Sequence, residues 1–429
     1  MTTSASRTAI SLLLLPLIAV CTLLSGCASP PVATRPATGA AAATPRAACY
    51  TPDCCDNEVA LQFEPHRLNC RAISLTAEGK SAESFVALQS AIAKARVETA
   101  NTEAATEVLC FALNDAAHRA DARDEDGESR ALFDGNLAAC RARFGDASVQ
   151  AAQALYGGAS QHLRRDRLDV AQAQVEQVIA MSRANGNRGL ESFATDALGR
   201  IRDMKGDRVE GRRLLRQAIE IKTAVFGERS REIAVSCTNL GASYIETGEG
   251  ATGREWYRRA VSLYSEALGE AHDRTLHVAS ALAASHLADN EFTQAERLYK
   301  SMYPKFVQTY GGTDERTVAI INDWGATFAR QNRYAEALVK FEQSLGIRRG
   351  TVPNSLRHGY SALNAAKMKK VTSSCTAALA LRNEAKRVAA SMTPEQRRNP
   401  EIAELVADVA SFEAECAPTR PAATPRKKR

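Results

Sequence analysis

Residues 237–244 read Cys-Thr-Asn-Leu-Gly-Ala-Ser-Tyr, and the pair Leu240-Gly241 within them recurs along the chain every 42 residues. The equivalent pairs are Leu198-Gly199, Leu282-Ala283 and Trp324-Gly325. A second set with the same spacing comprises Phe226-Gly227, Leu268-Gly269 and Tyr310-Gly311. Recurrence at a fixed interval of this length is typical of chains built from repeated structural units.

Small and large residues alternate inside each unit in a way that predicts a pair of packed helices. Twelve residues after the small residue of each first pair stands another small one: Gly211, Gly253, Ala295 and Ala337. Four residues further on stands a large one: Leu215, Tyr257, Tyr299 and Phe341. Small residues let two helices approach closely and large ones fill the groove between them, so each unit is expected to be a helix hairpin. Hairpins in series must stack, which predicts an all-α fold, an α-solenoid of stacked antiparallel helix hairpins.

The pattern resembles the tetratricopeptide repeat, and the 42-residue period resembles the variant found in kinesin light chains. Residues 237–244 are similar to that variant's first-helix motif, and Gly269-Glu270-Ala271-His272-Asp273 to its inter-repeat turn. The resemblance covers roughly residues 104–349 and implies a tetratricopeptide-like superhelix, with Gly at 227, 269 and 311 acting as left-handed helix stops. The sequence departs from the pattern at Arg202, Met302 and Ser344.

The remainder of the chain divides around this array. We expect the following segments: 1–26, a lipoprotein signal peptide; 27–48, a lipidated Cys and a Pro/Ala-rich linker; 49–103, a Cys-rich segment with an N-terminal capping helix in 81–100; 104–349, the repeats; 350–416, a degenerate repeat and a C-terminal capping helix that begins at Pro394; and 417–429, a basic disordered tail. Terminal units of a solenoid need one polar face. The acidic residues between Glu401 and Glu415 would supply that face at the C-terminal end.

The N-terminus has the order of a bacterial export signal. Arg7 is followed by an apolar run from Ala9 to Leu24, which is shorter than the roughly 20 residues of a membrane-spanning helix. The run ends in Leu24-Ser25-Gly26-Cys27, which resembles the lipobox of bacterial lipoproteins and implies that Cys27 receives a diacylglycerol. Ala28, rather than Asp, follows this Cys; in the enterobacterial sorting pattern that implies the outer membrane, with the protein anchored by lipid and facing the periplasm. An ordinary secretory signal with an incidental Cys is the alternative.

Nine of the 11 Cys residues remain after Cys21 and Cys27 are set aside, in a compartment that favours disulfides. Four of them crowd the start of the mature chain and could close two bridges in three connectivities: Cys49, Cys54, Cys55 and Cys70. A metal site with His66 is the alternative, although the adjacent Cys54 and Cys55 lack zinc-knuckle spacing. Two further pairs would meet across helix hairpins, Cys110 with Cys140 and Cys375 with Cys416, which leaves Cys237 as a buried core residue.

Composition and motifs exclude several functional classes. Eight of the 55 Lys and Arg residues lie in residues 1–48 and 417–429, which contain no acidic residue, so the body of the chain is nearly neutral and no nucleic-acid-binding face is expected. The sequence contains neither a His-Glu-x-x-His helix nor a Gly-x-Ser-x-Gly elbow. We therefore expect no enzyme, catalytic residue, cofactor or metal.

What remains as a functional candidate is a surface. In this repeat class the first helices line the concave face, where short polar groups can hydrogen-bond the main chain of an extended peptide. The peptide-binding candidates at those positions are Asp196, Arg200, Asp203, Thr238, Asn239, Ser280, Asn322, Asp323 and Arg330. We expect a non-enzymatic scaffold that binds envelope proteins or peptides. The alternative is an envelope factor whose basic tail contacts anionic cell wall or lipopolysaccharide.

Overall fold

The structure, a computed structural model, describes residues 64–77, 81–98, 103–393 and 395–416. These residues form helices and connecting turns, with no strand among them. The α-helices are α1 Glu64–Ala77, α2 Ser81–Glu98, α3 Glu103–Ala122, α4 Asp126–Phe144, α5 Val149–Arg164, α6 Leu168–Ala184, α7 Arg188–Met204, α8 Arg208–Phe226, α9 Arg231–Glu246, α10 Gly250–Leu268, α11 Asp273–Ala288, α12 Phe292–Tyr310, α13 Glu315–Arg330, α14 Tyr334–Thr351, α15 Leu356–Thr372, α16 Cys375–Ser391 and α17 Pro400–Glu415.

The helices form two compact units, α1–α9 and α10–α17. Within each unit every helix packs against the next one along the chain. Contacts also join alternate helices, from α1 through α3, α5 and α7 to α9 in one unit, and from α11 to α13 and α15 to α17 in the other. In each unit the odd-numbered helices therefore lie side by side as a layer. We call the odd-numbered helices the first helices and the even-numbered ones the second helices. The predicted all-α stack of antiparallel hairpins is confirmed.

The small residues of the repeat do bring helices together. A Cβ added to Gly211 in α8 would lie 2.8 Å from the carbonyl oxygen of Gly199 in α7, and one added to Gly199 would lie 2.9 Å from Leu215 Cγ. In α13, a Cβ on Gly325 would lie 3.0 Å from the ring of Phe341. Contacts this short leave little room for a methyl group, so glycine permits the close helix approach at these three positions.

The turns explain why the period is so regular. Gly227, Gly269 and Gly311 end the second helices with φ of 85°, 96° and 88°, but their ψ values near 160° make this an extended, glycine-only conformation rather than the left-handed helical one that we predicted. Within the hairpins, Gly206, Gly248, Asn290 and Asn332 follow one another at 42-residue intervals, and all have positive φ. Asn tolerates this region better than other side chains, and sequence reasoning overlooked this second turn.

Upstream of residue 188 the register of the repeat shifts. A strict 42-residue period predicts that Gly157 is equivalent to Gly199, but a Cβ on Gly157 would meet Asn114 of α3 and Phe133 of α4, so this glycine packs against the preceding hairpin. Ala159 and Ala171, which are fully buried and twelve residues apart, occupy the positions of Gly199 and Gly211 instead. The shift arises because α6 has 17 residues whereas α8 has 19.

Both ends of the described chain differ in detail from the predicted caps. A helix that we did not predict, α1, precedes α2 and packs against it, burying Ala72 and Leu75. At the other end the last α-helix begins at Pro400 instead of Pro394, because the Asn399 side chain accepts a hydrogen bond from the Glu401 amide at 2.9 Å and proline suits a first helical turn. The cap carboxylates Asp408 and Glu413 bind Lys367, Arg382 and Lys386 rather than only facing water.

Two disulfides join the pairs expected from the hairpins. Cys110 in α3 is bonded to Cys140 in α4, with Cα atoms 6.2 Å apart, and Cys375 to Cys416, with Cα atoms 5.6 Å apart. Cys237 is buried in α9, and Cys70 is disulfide-bonded.

Several expectations concern residues that the structure does not describe. Cys27 with its signal sequence, the cluster Cys49, Cys54 and Cys55, and the basic tail lie outside the described residues. Lipidation and the cell-wall alternative therefore stay predictions. None of the helices in the described part of the chain combines the length and the apolar character needed to cross a bilayer.

Candidate functional site

In the unit formed by α1–α9, Asp196 belongs to a buried polar network. Its side chain is only 6 % exposed, and Lys222 of α8, with no exposed surface, places Nζ 3.3 Å from Asp196 Oδ1. Ser236 of α9 donates to the same carboxylate and accepts a hydrogen bond from Lys222 Nζ at 2.8 Å. Asn239 donates from Nδ2 to Asp196 Oδ2 at 2.9 Å. Asp196 thus links three helices instead of presenting an open carboxylate to a ligand.

Asp203 has the same kind of role about two helical turns further along α7. It is 9 % exposed, accepts a hydrogen bond from Ser243 Oγ at 2.6 Å, and pairs with Arg208 at 2.5 Å. Ser243 also contacts Arg212, whose guanidinium stacks 3.8 Å from the centre of the Tyr244 ring. Both predicted acidic candidates of this unit therefore bind neighbouring helices.

The other candidates of this unit are half-buried on the first-helix layer. Thr238 donates its hydroxyl to the Ala234 carbonyl oxygen, and Asn239 is held in place by Asp196. Arg200 forms no hydrogen bond or ion pair with any described residue. Arg200, Thr238 and Asn239 are the side chains that remain for a ligand here, and their binding role stays a prediction.

In the unit formed by α10–α17, Ser280 and Arg330 are engaged in structural hydrogen bonds. Ser280 donates its hydroxyl to the Leu276 carbonyl oxygen in its own helix. Arg330 donates to the Leu287 carbonyl oxygen at 2.8 Å and to Asn290 Oδ1 at 2.7 Å, and so satisfies the C-terminal end of α11. Arg330 joins one repeat to the next.

Asn322 and Asp323 are the least satisfied of the candidates. Asn322 Oδ1 is buried and has no hydrogen-bond partner among the described residues. Burial raises the pKa of the Asp323 carboxyl to about 6, opposed by the nearby guanidinium of Arg348 and by a hydrogen bond from Asn322. Tyr299 is fully buried, and burial raises the pKa of its hydroxyl. The negative charge of nearby Asp323 raises the same pKa further. A partner that supplied hydrogen bonds here would relieve these costs.

The structure adds residues that sequence reasoning missed. Lys222, Ser236, Ser243 and Arg348 complete the buried networks, although nothing in their local sequence marks them as buried. A visible signal did exist at Trp324 and Lys340, since aromatic and cationic residues stand where other repeats have Leu282 and Leu298. Within the described residues, no group of three or more His, Cys, Asp or Glu side chains is arranged to hold a metal ion.

Part of the chain matches a known repeat family in sequence. The tetratricopeptide repeat model matches residues 231–304. These residues form tetratricopeptide repeats. The prediction of this repeat class is therefore confirmed, and α9 to α12 supply the helices of the matched stretch. No curated protein is significantly similar to the chain in sequence.

Solved structures with tetratricopeptide repeats resemble the fold at low sequence identity. A Podosopora anserina protein described as a kinesin light chain with nearly identical repeats is 17 % identical, with a TM-score of 0.42, over 47 % of this chain and 96 % of its own. The quorum sensor NprR from B. thuringiensis, in its apo form, is 11 % identical, with a TM-score of 0.50, over 84 % and 95 %. A signal transduction ATPase with a tetratricopeptide repeat sensor, from Pyrococcus horikoshii, is 11 % identical, with a TM-score of 0.57, over 83 % of this chain and 56 % of its own. At these identities the likeness concerns the fold alone.

Proposed function

We propose that this protein is a non-enzymatic scaffold whose first helices bind peptides or other proteins of the cell envelope. The observation that carries the proposal is a contrast among the polar residues of those helices in each unit. Asp196, Asp203 and Arg330 hold helices together, whereas Arg200 and the Oδ1 atom of Asn322 have no hydrogen-bond partner among the described residues. Two of the structural neighbours are described as sensors or as containing one, which agrees with a recognition role.

Rigid helices suit this kind of recognition. An extended peptide has a donor and an acceptor on every residue, and side chains such as Thr238, Asn239 and Asn322 can satisfy them without requiring one sequence. Because Asn239 is fixed by Asp196, and Asp196 by buried Lys222, the carboxamide is already oriented before a partner arrives. Preorganised side chains lose less conformational entropy on binding.

Site-specific photocrosslinking in intact cells tests this proposal. A photoreactive residue at Arg200 or Thr238 should give discrete crosslinked adducts with envelope proteins. The same residue at Arg213, an exposed position on second helix α8 that pairs with Glu210, is the matched control and should give none. Equal adduct patterns at both kinds of position, or none at the first-helix positions, would contradict the proposal.

We further propose that Cys27 carries a lipid and anchors the protein in the outer membrane, facing the periplasm. The supporting feature is the complete order of Arg7, the apolar run and Leu24-Ser25-Gly26-Cys27. Cys27→Ser should abolish labelling with a fatty-acid analogue and move the protein from the membrane to the soluble envelope fraction. Cys237→Ser serves as the control for a general cysteine effect, because Cys237 is buried in α9. A membrane-bound and labelled Cys27→Ser protein would contradict lipidation.

A further inference from the structure

The second helices of the unit α10–α17 carry a stripe of cations on their exposed side. Arg258 in α10 and Lys300 in α12 are 42 residues apart, so they occupy the same position in successive repeats. Arg297 lies three residues before Lys300 and shares its helix face, and Arg259 directly follows Arg258 on the exposed side of α10. All four side chains are exposed. With Lys340 in α14 they form what we call the basic surface.

The cations of the basic surface lack carboxylate partners. None of the five forms an ion pair or a hydrogen bond with a described residue. Other cations of the same helices are paired: Arg254 with Asp289 and Glu291, and Lys305 with Glu270. Glu255 is the one acidic residue in the corresponding stripe of α10, and it forms no ion pair with a described cation. Positive charges that lie near one another without counter-charges repel one another, so the basic surface attracts anions.

Aromatic and apolar side chains accompany the charges. Lys340 Nζ lies 3.9 Å from the centre of the Trp324 ring and 5.9 Å from that of Tyr303. Burial lowers the pKa of Lys340, since no anion compensates for lost hydration. Val339, the residue before Lys340, is 62 % exposed, and Val307, four residues after Tyr303 in α12, is 36 % exposed. Where Lys340 of α14 meets Tyr303 of α12, a poorly hydrated cation therefore has exposed aliphatic residues near it in sequence on both helices.

The equivalent positions in other repeats show that this combination is not required by the fold. Leu214, Trp256 and Leu298 occupy the position of Lys340, and Leu198, Leu240 and Leu282 that of Trp324. Leu198 and Leu282 are buried, as packing of the hairpin requires. A lysine placed over a tryptophan contributes less to packing than leucine and costs desolvation. Stability of the hairpin therefore does not explain Lys340.

We propose that the basic surface is a second docking site, which binds an acidic segment of a partner protein in which Asp or Glu alternates with aliphatic residues. Carboxylates would pair with Arg258, Arg297, Lys300 and Lys340, and aliphatic side chains would cover Val339 and Val307. Charge complementarity identifies the acidic component. The aliphatic surface between the cations favours a protein segment over a purely polar polyanion, which has nothing to bury there.

The two tryptophans of the chain make this proposal directly measurable. Trp256 lies beneath Arg259, at 5.8 Å from the ring centre to the guanidinium carbon, and Trp324 beneath Lys340. Since the chain has only these two, its tryptophan fluorescence reports on the basic surface. The probe is a 12-residue peptide of alternating Glu and Leu or Val, titrated into the full chain. The control peptide has Gln in place of every Glu.

We expect the acidic peptide to change tryptophan emission saturably, and the Gln peptide to bind at least about tenfold more weakly. Raising the salt concentration should weaken binding of the acidic peptide, because the contacts are exposed ion pairs. Arg297→Gln combined with Lys300→Gln should reduce affinity about tenfold with the melting temperature unchanged. The matched control, Lys205→Gln with Arg213→Gln in the turn after α7 and in α8, should bind as the wild type does. Trp256→Phe retains Trp324 alone and should keep the response.

Each contrary result overturns the proposal. Equal binding of the Gln peptide would show that charge is not recognised, and an equal effect of the control variant would show that the peptide binds elsewhere. Absence of any emission change would exclude docking at these tryptophans. Vesicles of anionic phospholipid are a further probe. If they, and not the peptide, changed the tryptophan emission, and if the double variant of Arg297 and Lys300 lost that change, the surface would bind membranes instead. Photocrosslinking at Arg200 is independent of all these outcomes, so failure here leaves the first-helix proposal standing.

Discussion

At the scale of single residues, buried charge determines which side chains hold the structure and which remain for function. Asp196 and Lys222 are both almost fully buried, and each satisfies the other together with Ser236 and Asn239. Such a pair is costly to desolvate, but removing one member is worse, because the remaining charge is then buried alone. Asp323 shows the other outcome, in which a carboxyl without a direct cationic partner responds to burial by a raised pKa.

Asp196→Ala should therefore destabilise the protein strongly. We expect a loss of about 3–5 kcal/mol in the free energy of unfolding, because Lys222 would be left without its counter-charge. Replacing both members, Asp196→Leu with Lys222→Met, should recover most of that loss. Thr238→Ala, on the same layer but bonded only within its helix, is the control and should cost less than about 1 kcal/mol. Denaturant unfolding measures all three; equal stability of Asp196→Ala and wild type would contradict the network.

Asp323 should make stability depend on pH near neutrality. Its pKa is raised to about 6 in the folded protein, above the value of roughly 3.9 in an unfolded chain. Between these values the folded state holds a proton that the unfolded state releases, so stability falls as the pH rises through 6. The Asp323→Asn variant has no carboxyl to titrate, so its free energy of unfolding should not fall in this way. The difference in free energy of unfolding, variant minus wild type, should therefore rise by on the order of 1–2 kcal/mol between pH 4.5 and pH 7. A difference independent of pH would show that this carboxyl is not perturbed.

At the scale of helices, the close approach of α7 and α8 depends on two residues without side chains. Gly199 and Gly211 face each other where α7 crosses α8. A Cβ added to either one would lie 2.8–3.0 Å from the carbonyl oxygen of the other, which is closer than van der Waals contact. The 42-residue period follows from this crossing together with second helices of 19 residues and turns at fixed positions. Where α6 is shorter, the period shortens with it.

Substitution by alanine separates crossing glycines from incidental ones. Gly211→Ala should cost about 1–3 kcal/mol, because the Gly199 carbonyl lies 2.8 Å from the new Cβ and backbone cannot move away cheaply. Gly135→Ala in α4 has no atom within 4 Å of its new Cβ, and should stabilise the protein by about 0.5–1 kcal/mol through helix propensity. Thermal unfolding of the two variants checks the contrast, and equal shifts would argue against a tight crossing in α7 and α8.

At the scale of the whole chain, disulfides secure hairpins near both described ends. Cys110–Cys140 closes α3 on α4, and Cys375–Cys416 ties the last helix back to the start of α16. Ion pairs from Lys367, Lys370 and Arg382 add to the second closure. Covalent closure is consistent with an exported protein, because such bonds persist in oxidising compartments.

Loss of the C-terminal disulfide should weaken the α10–α17 unit. Cys375→Ser should lower the free energy of unfolding by about 2–4 kcal/mol, since the bond spans 41 residues and restricts the unfolded chain. The double variant with Cys416→Ser should behave the same way, and a reductant should lower the stability of wild type toward theirs. Peptide mapping without reduction should recover the Cys375–Cys416 and Cys110–Cys140 pairs; free thiols at these positions would contradict both bridges.

The amino-acid sequence by itself determined the repeat, its hairpins and the glycines at which the second helices end. The spacing of Leu240-Gly241 and its equivalents is enough for this, because close helix packing and helix ends depend on neighbours a few residues away. It also determined the pairing of Cys110 with Cys140, which follows from the symmetry of a hairpin.

The tertiary structure alone decided which polar residues are available. Asp196 and Asp203 share the polarity expected of binding residues, yet stacking brings Lys222, Ser236 and Ser243 against them from positions 26 to 40 residues away along the chain. Likewise, Arg297 and Lys300 are indistinguishable in sequence from paired surface cations until the positions of all carboxylates are known. Whether a charge is satisfied depends on distances across helices, and those distances are set by packing rather than by any local pattern.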